Sequence, residues 1–509
     1  MHPHTPAVKL QEIELKLYLP TSDLLGLAKR LAKSAVLVRR RPSRQALHNI
    51  YFDTPDQKLR QKRVALRLRR VGETFQTHWL QTLKTSPNDP SALSRRGEWE
   101  SLVAGATLSR EALDATPWSE FDTDGSLFDA LIPCFVTTFE RTLWLVHRRD
   151  GSLIEVALDI GHIEAGGKRT SICELELELK VGEPTALFEI AQQIARTVAV
   201  LPANLSKAQR GFLLAQDGLD QPERSQAPRL TFDLTRPALA QRVLREMFTQ
   251  FTGNLNALRT SDDPEVVHQA RVGWRRFKSG VRLFNKMFKE NPPPSWLELR
   301  PLLDCLGELR NLDVARDETL PPLANAYVVG DDQRANDWQA LTQALEQTAK
   351  QQRKAVRYAL QEPVVGMSLL ATSQWLENLS DGDENKQIPK DKLRHWAKSR
   401  ILRMHQQMEA AHQSAATPEG FHRARILAKR LRYGSEAMRD LLPKQLAKYC
   451  HQQACSLQSS IGATRDITQA SELVARLEID RGVVEFLRGV ALGTVLSSAL
   501  MTVHRSSVR

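Results

Sequence analysis

Apolar and polar side chains alternate with a period of two along much of residues 10–215. The alternation predicts β-strands in eight segments: EIELKLYL, IYFDT, ALRLRR, HWLQTLK, GEWESL, RTLWLVH, LIEVALDIG and ICELELELK. Two other segments, 21–34 and 184–198, carry apolar residues at helical spacing. About eight strands with few helices predict an α+β domain whose antiparallel sheet is closed or strongly curved.

The strand pattern ends at residues 217–229, a polar segment with two prolines that predicts a linker. From residue 236 to residue 500 the chain is rich in Ala, Leu, Gln, Arg and Glu, and its apolar residues follow a helical period. We therefore predict an N-terminal α+β domain over 1–216, the linker, and an all-α domain over 230–509.

The helical region contains an internal repeat. VHQARVGWRRFKSG resembles FHRARILAKRLRYG at an offset of 154 residues, and LGELRNLDVARD resembles the segment around ATRD at nearly the same offset. Two matched segments at nearly one offset predict a duplicated helical unit, with bundles at about 230–375 and 390–505.

Charge is distributed unevenly along the chain. Residues 1–220 contain 29 basic and 27 acidic residues, so most of the net charge of +12 falls on the helical region. A basic region favours a polyanionic partner, either nucleic acid or polyphosphate, although a solvated basic surface would also explain it.

Cysteine usage and hydropathy predict the compartment. The five cysteines have neither paired nor metal-binding spacing, which favours a reducing environment. The N-terminus has no signal-peptide pattern, and the apolar stretch 489–503 is shorter than the ~20 residues that span a bilayer. We therefore expect a cytoplasmic protein with no membrane partner.

The polar faces of the predicted strands are unusually rich in charge. Glu12, Glu14 and Lys16 share one face of the first strand, because alternate residues of a strand point the same way. Other strands give further sets: Arg67 with Arg69, Thr82 with Lys84, Arg96 with Glu98 and Glu100, Glu155 with Asp159, and Glu174, Glu176 and Glu178 with Lys180. One solvated face explains any single strand. The whole set favours a charged lumen, in which carboxylates hold a hard divalent cation and basic residues hold phosphate.

These segments resemble a known family. ExExK at Glu12, Glu14 and Lys16 is followed in order by YFDTPD (51–56), ALRLRR (65–70), TLK (82–84), RGEWE (96–100), EVALDIG (155–161), CELELEL (173–179) and SKAQRG (206–211). The series resembles the CYTH superfamily of triphosphate tunnel metalloenzymes, and the whole layout resembles bacterial CYTH–CHAD proteins of the inorganic triphosphatase type. The resemblance implies an eight-stranded antiparallel tunnel, a Mg²⁺ or Mn²⁺ requirement, and hydrolysis of inorganic triphosphate to pyrophosphate and phosphate.

The resemblance also implies roles for individual residues. Metal would be held by Glu12, Glu14, Asp159, Glu174, Glu176 and Glu178, although spacing does not rank the last three. Triphosphate would be held by Arg67, Arg69, Lys84, Arg96, Arg141 and Lys207. Lys16 would lie at one phosphate terminus, and it joins Glu12 and Glu14 as a catalytic candidate. Thiamine triphosphatase and class IV adenylate cyclase are the alternatives within the family, and a non-catalytic polyphosphate-binding protein is the alternative outside it.

Basic residues repeat in the two predicted bundles. The candidates for a basic site are His268, Arg271, Arg275 and Arg276 in the first bundle, and His422, Arg425, Lys429, Arg430 and Arg432 in the second. They resemble the CHAD domain. A histidine among so many cations is a poor metal site, so the cluster and the resemblance both favour inorganic polyphosphate. The chain shows no helix-turn-helix signature, zinc finger or aromatic stacking platform, which argues against nucleic acid.

Overall fold

The computed structural model describes residues 10–20, 23–72, 77–85, 91–379, 389–415, 417–477 and 479–506. Most of the segment between the two predicted bundles lies outside these residues.

The first part of the chain forms a closed antiparallel barrel. Its strands are β1 (Leu10–Tyr18), β2 (Ser43–Asp53), β3 (Val64–Val71), β4 (His78–Thr85), β5 (Leu93–Val103), β6 (Ile132–His147), β7 (Leu153–Ala165) and β8 (Lys168–Val181). They lie in the order β5-β4-β3-β2-β6-β7-β8-β1, and the pairing of β1 with β5 closes the barrel. The predicted tunnel is therefore confirmed. A ninth strand of two residues, β9 (Leu201–Pro202), extends β1 and was not predicted.

Helices flank the barrel. They are α1 (Leu24–Ala32), α2 (Lys58–Gln61), α3 (Trp118–Phe121), α4 (Ser126–Asp129), α5 (Thr185–Ala195) and α6 (Lys207–Ala215). The outward leucines of β1 and β8 pack with the apolar residues of α1 and α5 into one core. Because these strands bury their outer leucines under helices, their charged side chains face the lumen.

Helix α6 lies where the chain leaves the barrel. Ser206 caps it in a capping box, accepting from the backbone N–H of Gln209 while the Gln209 side chain accepts from Ser206. The cap places Lys207 in the first helical turn, where its side chain reaches the barrel interior.

The second part of the chain, here called the helical half, contains ten helices in its described residues. They are α7 (Arg236–Ala257), α8 (Pro264–Leu283), α9 (Arg300–Val314), α10 (Ala324–Val328), α11 (Asp332–Ala359), α12 (Pro363–Glu377), α13 (Lys390–Gln413), α14 (Pro418–Ala437), α15 (Lys444–Val474) and α16 (Arg481–Ser506). The predicted all-α region is confirmed. Helices α8 and α14 have the same length, 20 residues, and begin 154 residues apart, which is the offset of the sequence repeat. The domain and bundle boundaries stay predictions.

The helical half packs directly on the barrel. Tyr18, Leu201 and Ala203 of the barrel belong to the same hydrophobic core as the buried face of α7. Polar contacts surround this core: Asn256 donates from Nδ2 to the carbonyl oxygen of Pro202 at 2.8 Å. None of the described helices combines the length and apolar character needed to cross a membrane.

Candidate functional site

The barrel encloses a cavity of about 1200 Å³. Its walls are the inward faces of β1–β8, and α6 closes one side. The cavity brings together these predicted site residues: Glu12, Glu14, Lys16, Arg67, Arg69, Lys84, Arg96, Arg141, Glu176, Glu178 and Lys207. Glu174 and Asp159 lie at its edge, where both contact Lys207. The charged lumen predicted from strand alternation is thus present as a continuous surface.

Three carboxylates form a cluster beside α6. Asp159, Glu174 and Glu176 each offer an oxygen within 4.8 Å of the others. Lys207 Nζ contacts all three at 2.5 to 2.9 Å, and Arg141 pairs with Asp159 and Glu176. Burial opposes ionisation of Asp159 and Glu176, yet these cations hold the pKa of both carboxyls below their usual values. Protein cations therefore already neutralise this cluster.

Glu12 lies farther along the same wall and is also compensated. Arg96 donates from Nε to its carboxylate at 2.6 Å, and Lys84 Nζ lies 3.1 Å away. Burial would raise the pKa of Glu12, but Lys84 and Arg96 outweigh burial and hold it well below its usual value. Since Arg96 also contacts Glu14, its donors are engaged with carboxylates rather than directed to an open site.

Glu14 differs from its neighbours. It lies directly across from Glu178 in the β1–β8 pair, and it is 2% exposed. Burial and the nearby Glu176 raise the pKa of Glu14 to about 7, despite contacts to Lys16 at 2.8 Å and to Arg96. Burial raises the pKa of Glu178 as well, against the opposing effect of Lys180. Glu14 and Glu178 therefore take up a proton more readily than Glu12 and Glu176 on the same two strands, although Lys16 and Arg96 contact Glu14 and Lys180 contacts Glu178.

The opposite wall of the lumen is basic. Arg67 interacts with the Tyr51 side chain and lies 3.7 Å from Glu98, and its buried Nε has no hydrogen-bond partner among the described residues. Within the described part of the chain, Arg69 has no carboxylate within 4.0 Å. Burial, Arg67 and Arg141 lower the pKa of Arg69 to about 10, so it stays charged at neutral pH. Arg67 and Arg69 are therefore the cations best placed to receive an anion.

A second basic cluster lies in the helical half. It joins α8 and α14 through Arg271, Arg275, Arg425 and Lys429, which repel one another. Burial and the neighbouring arginines lower the pKa of Lys429 to about 7. The Nε atoms of Arg275 and Arg425 are buried without a hydrogen-bond partner among the described residues.

Residues 10–212 match the family model of the CYTH domain, and residues 242–475 match that of the CHAD domain. The chain is a CYTH domain followed by a CHAD domain.

An inorganic triphosphatase from Haemophilus influenzae is 34% identical over 209 residues, which are 41% of this chain and 56% of that protein, so the match spans about half of the relative's length. A crystal structure of the CHAD domain from the plant Ricinus communis matches at 25% identity and a TM-score of 0.46, covering 54% of this chain and 91% of that one. A Hippeastrum protein described as having a dominant triphosphatase activity matches at 20% identity and a TM-score of 0.30, covering 41% of this chain and 96% of that one.

The CHAD cluster also contains two residues that sequence reasoning missed. Arg310 and Arg465 contribute to the repulsion at Arg271, and Arg465 lies 3.2 Å from the ring of His422. They stand 155 residues apart in the similar segments ELRN and ATRD, so the repeat itself could have identified them. Asp313 of the first repeat is fully buried and pairs with Arg353 at 3.2 Å.

Two predicted members of the cluster lie elsewhere. Arg276 is 2% exposed and pairs with Glu246 at 3.0 Å, while Nη1 donates to Gln250 Oε1 at 2.6 Å. Arg430 lies beside Arg282 rather than among the cations that surround Lys429. Arg432 is nearest to Glu436 and Tyr433, at the border of the cluster.

Replacing Arg276 by alanine should therefore destabilise the CHAD domain rather than weaken anion binding. The change leaves Glu246 buried without its partner, which typically costs about 3–5 kcal/mol. We expect a clear fall in the melting temperature, measured by calorimetry, with polyphosphate affinity unchanged below the transition. A loss of affinity without a loss of stability would contradict the structural role of Arg276.

Proposed function

We propose that the CYTH domain hydrolyses inorganic triphosphate to pyrophosphate and phosphate in the presence of Mg²⁺ or Mn²⁺. One observation carries the proposal: a single cavity is lined on one wall by the carboxyls of Glu12, Glu14, Glu176 and Glu178, and on the opposite wall by the guanidinium groups of Arg67 and Arg69. A cation-loaded polyphosphate carries the complementary charges. The match to the inorganic triphosphatase of Haemophilus influenzae supports the same substrate.

The carboxylates of the lumen suit a hard divalent cation. Mg²⁺ prefers carboxylate oxygens combined with substrate phosphates. Glu14 and Glu178 are the first candidates because burial disfavours their charged forms and a divalent cation would stabilise them, and Glu12 and Glu176 flank them on the same two strands. Asp159 and Glu174 are held by Lys207, so their proposed part is to orient this lysine and Arg141. When bound, the metal would neutralise phosphate charge and activate the attacking water.

The cations of the lumen would hold the substrate. Arg67 and Arg69 can each offer several N–H groups to phosphoryl oxygens, and Arg141 extends this wall beside Asp159. Lys84 faces Glu12 and Glu98, and Lys16 lies between Glu14 and Glu176 at 2.8 and 3.4 Å. Lys16 is therefore proposed to contact the phosphate nearest the carboxylate wall. Phosphoryl transfer to water needs no covalent nucleophile, so positioning and charge stabilisation suffice.

The experiment is a comparison of substrates. We expect phosphate release from triphosphate in Mg²⁺ or Mn²⁺ to exceed release from ATP and from thiamine triphosphate. The reason is that the cations of the lumen would contact only the phosphate groups of the substrate. A preference for thiamine triphosphate, or formation of cyclic AMP from ATP, would favour the alternative activities of the family. No release from any of the three would remove the enzymatic proposal.

The metal requirement should depend on pH near neutrality. Glu14 has a pKa of about 7, and a protonated carboxyl is a poor ligand, so deprotonation favours metal binding. The Mg²⁺ concentration that gives half-maximal hydrolysis should therefore fall as pH rises from 6 to 8, by roughly tenfold per unit below the pKa. A half-saturating concentration that stays constant over this range would contradict the assignment of Glu14.

The CHAD domain is proposed to bind inorganic polyphosphate through the cluster of Arg271, Arg275, Arg425 and Lys429, joined by Arg310 and Arg465. The support is the buried, mutually repelling cations, whose repulsion a polyanion would relieve. His268 and His422 lie among these cations, which lower the pKa of both rings together with burial. Neutral imidazoles can then donate a hydrogen bond to phosphate without metal.

A further inference from the structure

Asn49 contacts Arg69 and has no role in the proposed function. It lies directly across from Arg69 in the β2–β3 pair. The Nε of Arg69 donates a hydrogen bond to Asn49 Oδ1 at 2.8 Å. Most cations of the lumen contact a carboxylate. In the described part of the chain, Arg69 contacts this amide instead.

Asn49 is itself fixed from the other side. Its side chain is fully buried, and Nδ2 donates to Thr137 Oγ1 at 2.9 Å. Thr137 lies across from Asn49 in the β2–β6 pair and is fully buried as well. Because the Nε–H of arginine can only donate, the amide oxygen must face Arg69 and the amide nitrogen must face Thr137. Three adjacent strands thus carry one chain of hydrogen bonds, Arg69 to Asn49 to Thr137.

This chain of hydrogen bonds leaves the Nη atoms of the Arg69 guanidinium available. Arginine has five N–H donors in one plane, and Asn49 uses only the one on Nε. Among the described residues, no hydrogen bond engages the Nη atoms of Arg69. A neutral amide also orients the guanidinium without cancelling its charge, whereas a carboxylate at this position would do both.

We propose that Asn49 and Thr137 are positioning residues that hold Arg69 with its Nη edge toward the phosphates in the lumen. The proposal rests on the proposed function, since it assigns Arg69 to the binding of triphosphate. It adds that triphosphate binding depends on an amide and a hydroxyl that do not touch the substrate.

The first test compares two substitutions of one residue. Thr137→Val removes the hydroxyl but keeps the shape, so Asn49 Nδ2 loses its acceptor at 2.9 Å and keeps only the Thr137 carbonyl oxygen at 3.5 Å. We expect the KM for triphosphate to rise about tenfold, with a change in kcat below about threefold, because the lost interaction serves binding. Thr137→Ser keeps the hydroxyl and should retain a KM near that of the wild type. Equal KM values for the two variants would overturn the proposal.

A matched control lies on the other face of the same strands. Thr138 Oγ1 is 3.0 Å from His48 Nδ1, and this neighbouring register pair points out of the barrel. Thr138→Val should leave KM unchanged. A rise in KM equal to that of Thr137→Val would mean that any such loss in β6 perturbs the barrel.

A double-mutant cycle separates this proposal from the proposed function. Arg69→Gln should raise KM strongly, and adding Asn49→Ala should raise it no further, because Asn49 acts through Arg69. If Arg69→Gln leaves KM unchanged, Arg69 does not grip triphosphate and the proposed function fails at this residue. If Arg69→Gln raises KM but Asn49→Ala alone does not, only the positioning role is wrong. Asn49→Asp should be more damaging than Asn49→Ala, since a carboxylate would cancel the charge of Arg69.

Discussion

Glu14→Gln will reduce triphosphate hydrolysis by a factor on the order of 10²–10³, the loss that removal of one preorganised electrostatic group typically causes. Glutamine keeps the size of the side chain and removes its charge. Glu14 is buried across from Glu178, and burial together with Glu176 raises its pKa to about 7 despite its contacts with Lys16 and Arg96, so a divalent cation would favour its charged form. The variant should lose affinity for Mg²⁺ as well as turnover. Phosphate release at saturating and limiting Mg²⁺ measures both.

Glu140→Gln is the matched control for this substitution. Glu140 lies on β6 and faces solvent, where its nearest basic partner is Arg44 at 3.9 Å. Its replacement should leave hydrolysis unchanged. Polyphosphate binding should also be intact in Glu14→Gln, because the CHAD cluster lies in another domain. Normal turnover by Glu14→Gln would contradict the proposed metal site, and a joint loss of turnover and polyphosphate binding would contradict two separate sites.

Replacing Arg275 and Arg465 together by alanine will weaken binding of long-chain polyphosphate by roughly a hundredfold or more. A hydrogen bond to a charged group contributes about 1.5–3 kcal/mol, and each arginine can make at least one. The two residues come from different halves of the cluster and meet around Lys429. Titration of polyphosphate into the full chain at fixed ionic strength measures the loss. The dependence of affinity on salt should also become shallower, because fewer counterions are released.

A control with the same change of net charge uses Arg334 and Arg439. Both are more than half exposed and pair with Asp331 and Asp440 at the surface. Their replacement by alanine should change polyphosphate affinity little. If it weakens binding as much as loss of Arg275 and Arg465 does, then total charge governs binding and the cluster is not a site. Triphosphate hydrolysis should be normal in both double variants.

The lumen could be predicted from sequence because a strand fixes the direction of its side chains locally. Alternation in EIELKL predicted that Glu12 and Glu14 share one face of their strand, and alternation in CELELELK predicted the same of Glu176 and Glu178. The pairing that sets Glu14 across from Glu178 joins residues more than 160 positions apart, and no local pattern encodes it. The raised pKa of Glu14 follows from its burial and from the nearby Glu176, so only the structure reveals it.

The second strand was predicted only in part, because its alternation of apolar and polar residues is weak. Only IYFDT was predicted as a strand, whereas β2 begins at Ser43. The missed part contains Asn49, which faces inward between Arg69 and Thr137. A lone asparagine carries no charge pattern, so sequence reasoning gave it no role.

Helical spacing misled the prediction at one point in the CHAD domain. Arg275 and Arg276 are adjacent, but successive residues of a helix point about 100° apart. Arg275 therefore faces the basic cluster while Arg276 faces Gln250 and Glu246. Composition could not distinguish them, because both are arginines in a basic segment. Arg276 is the structural arginine of the two, because Gln250 and Glu246 of α7 accept its hydrogen bonds.

The most direct test of the tunnel assignment is to follow triphosphate by phosphorus NMR with the full chain and Mg²⁺ or Mn²⁺. We expect the triphosphate signals to disappear and pyrophosphate and orthophosphate to appear in equal amounts, with the reaction strongly slowed in Glu14→Gln and absent without divalent metal. Triphosphate that remains intact with either metal, under conditions where the protein is folded, would contradict it.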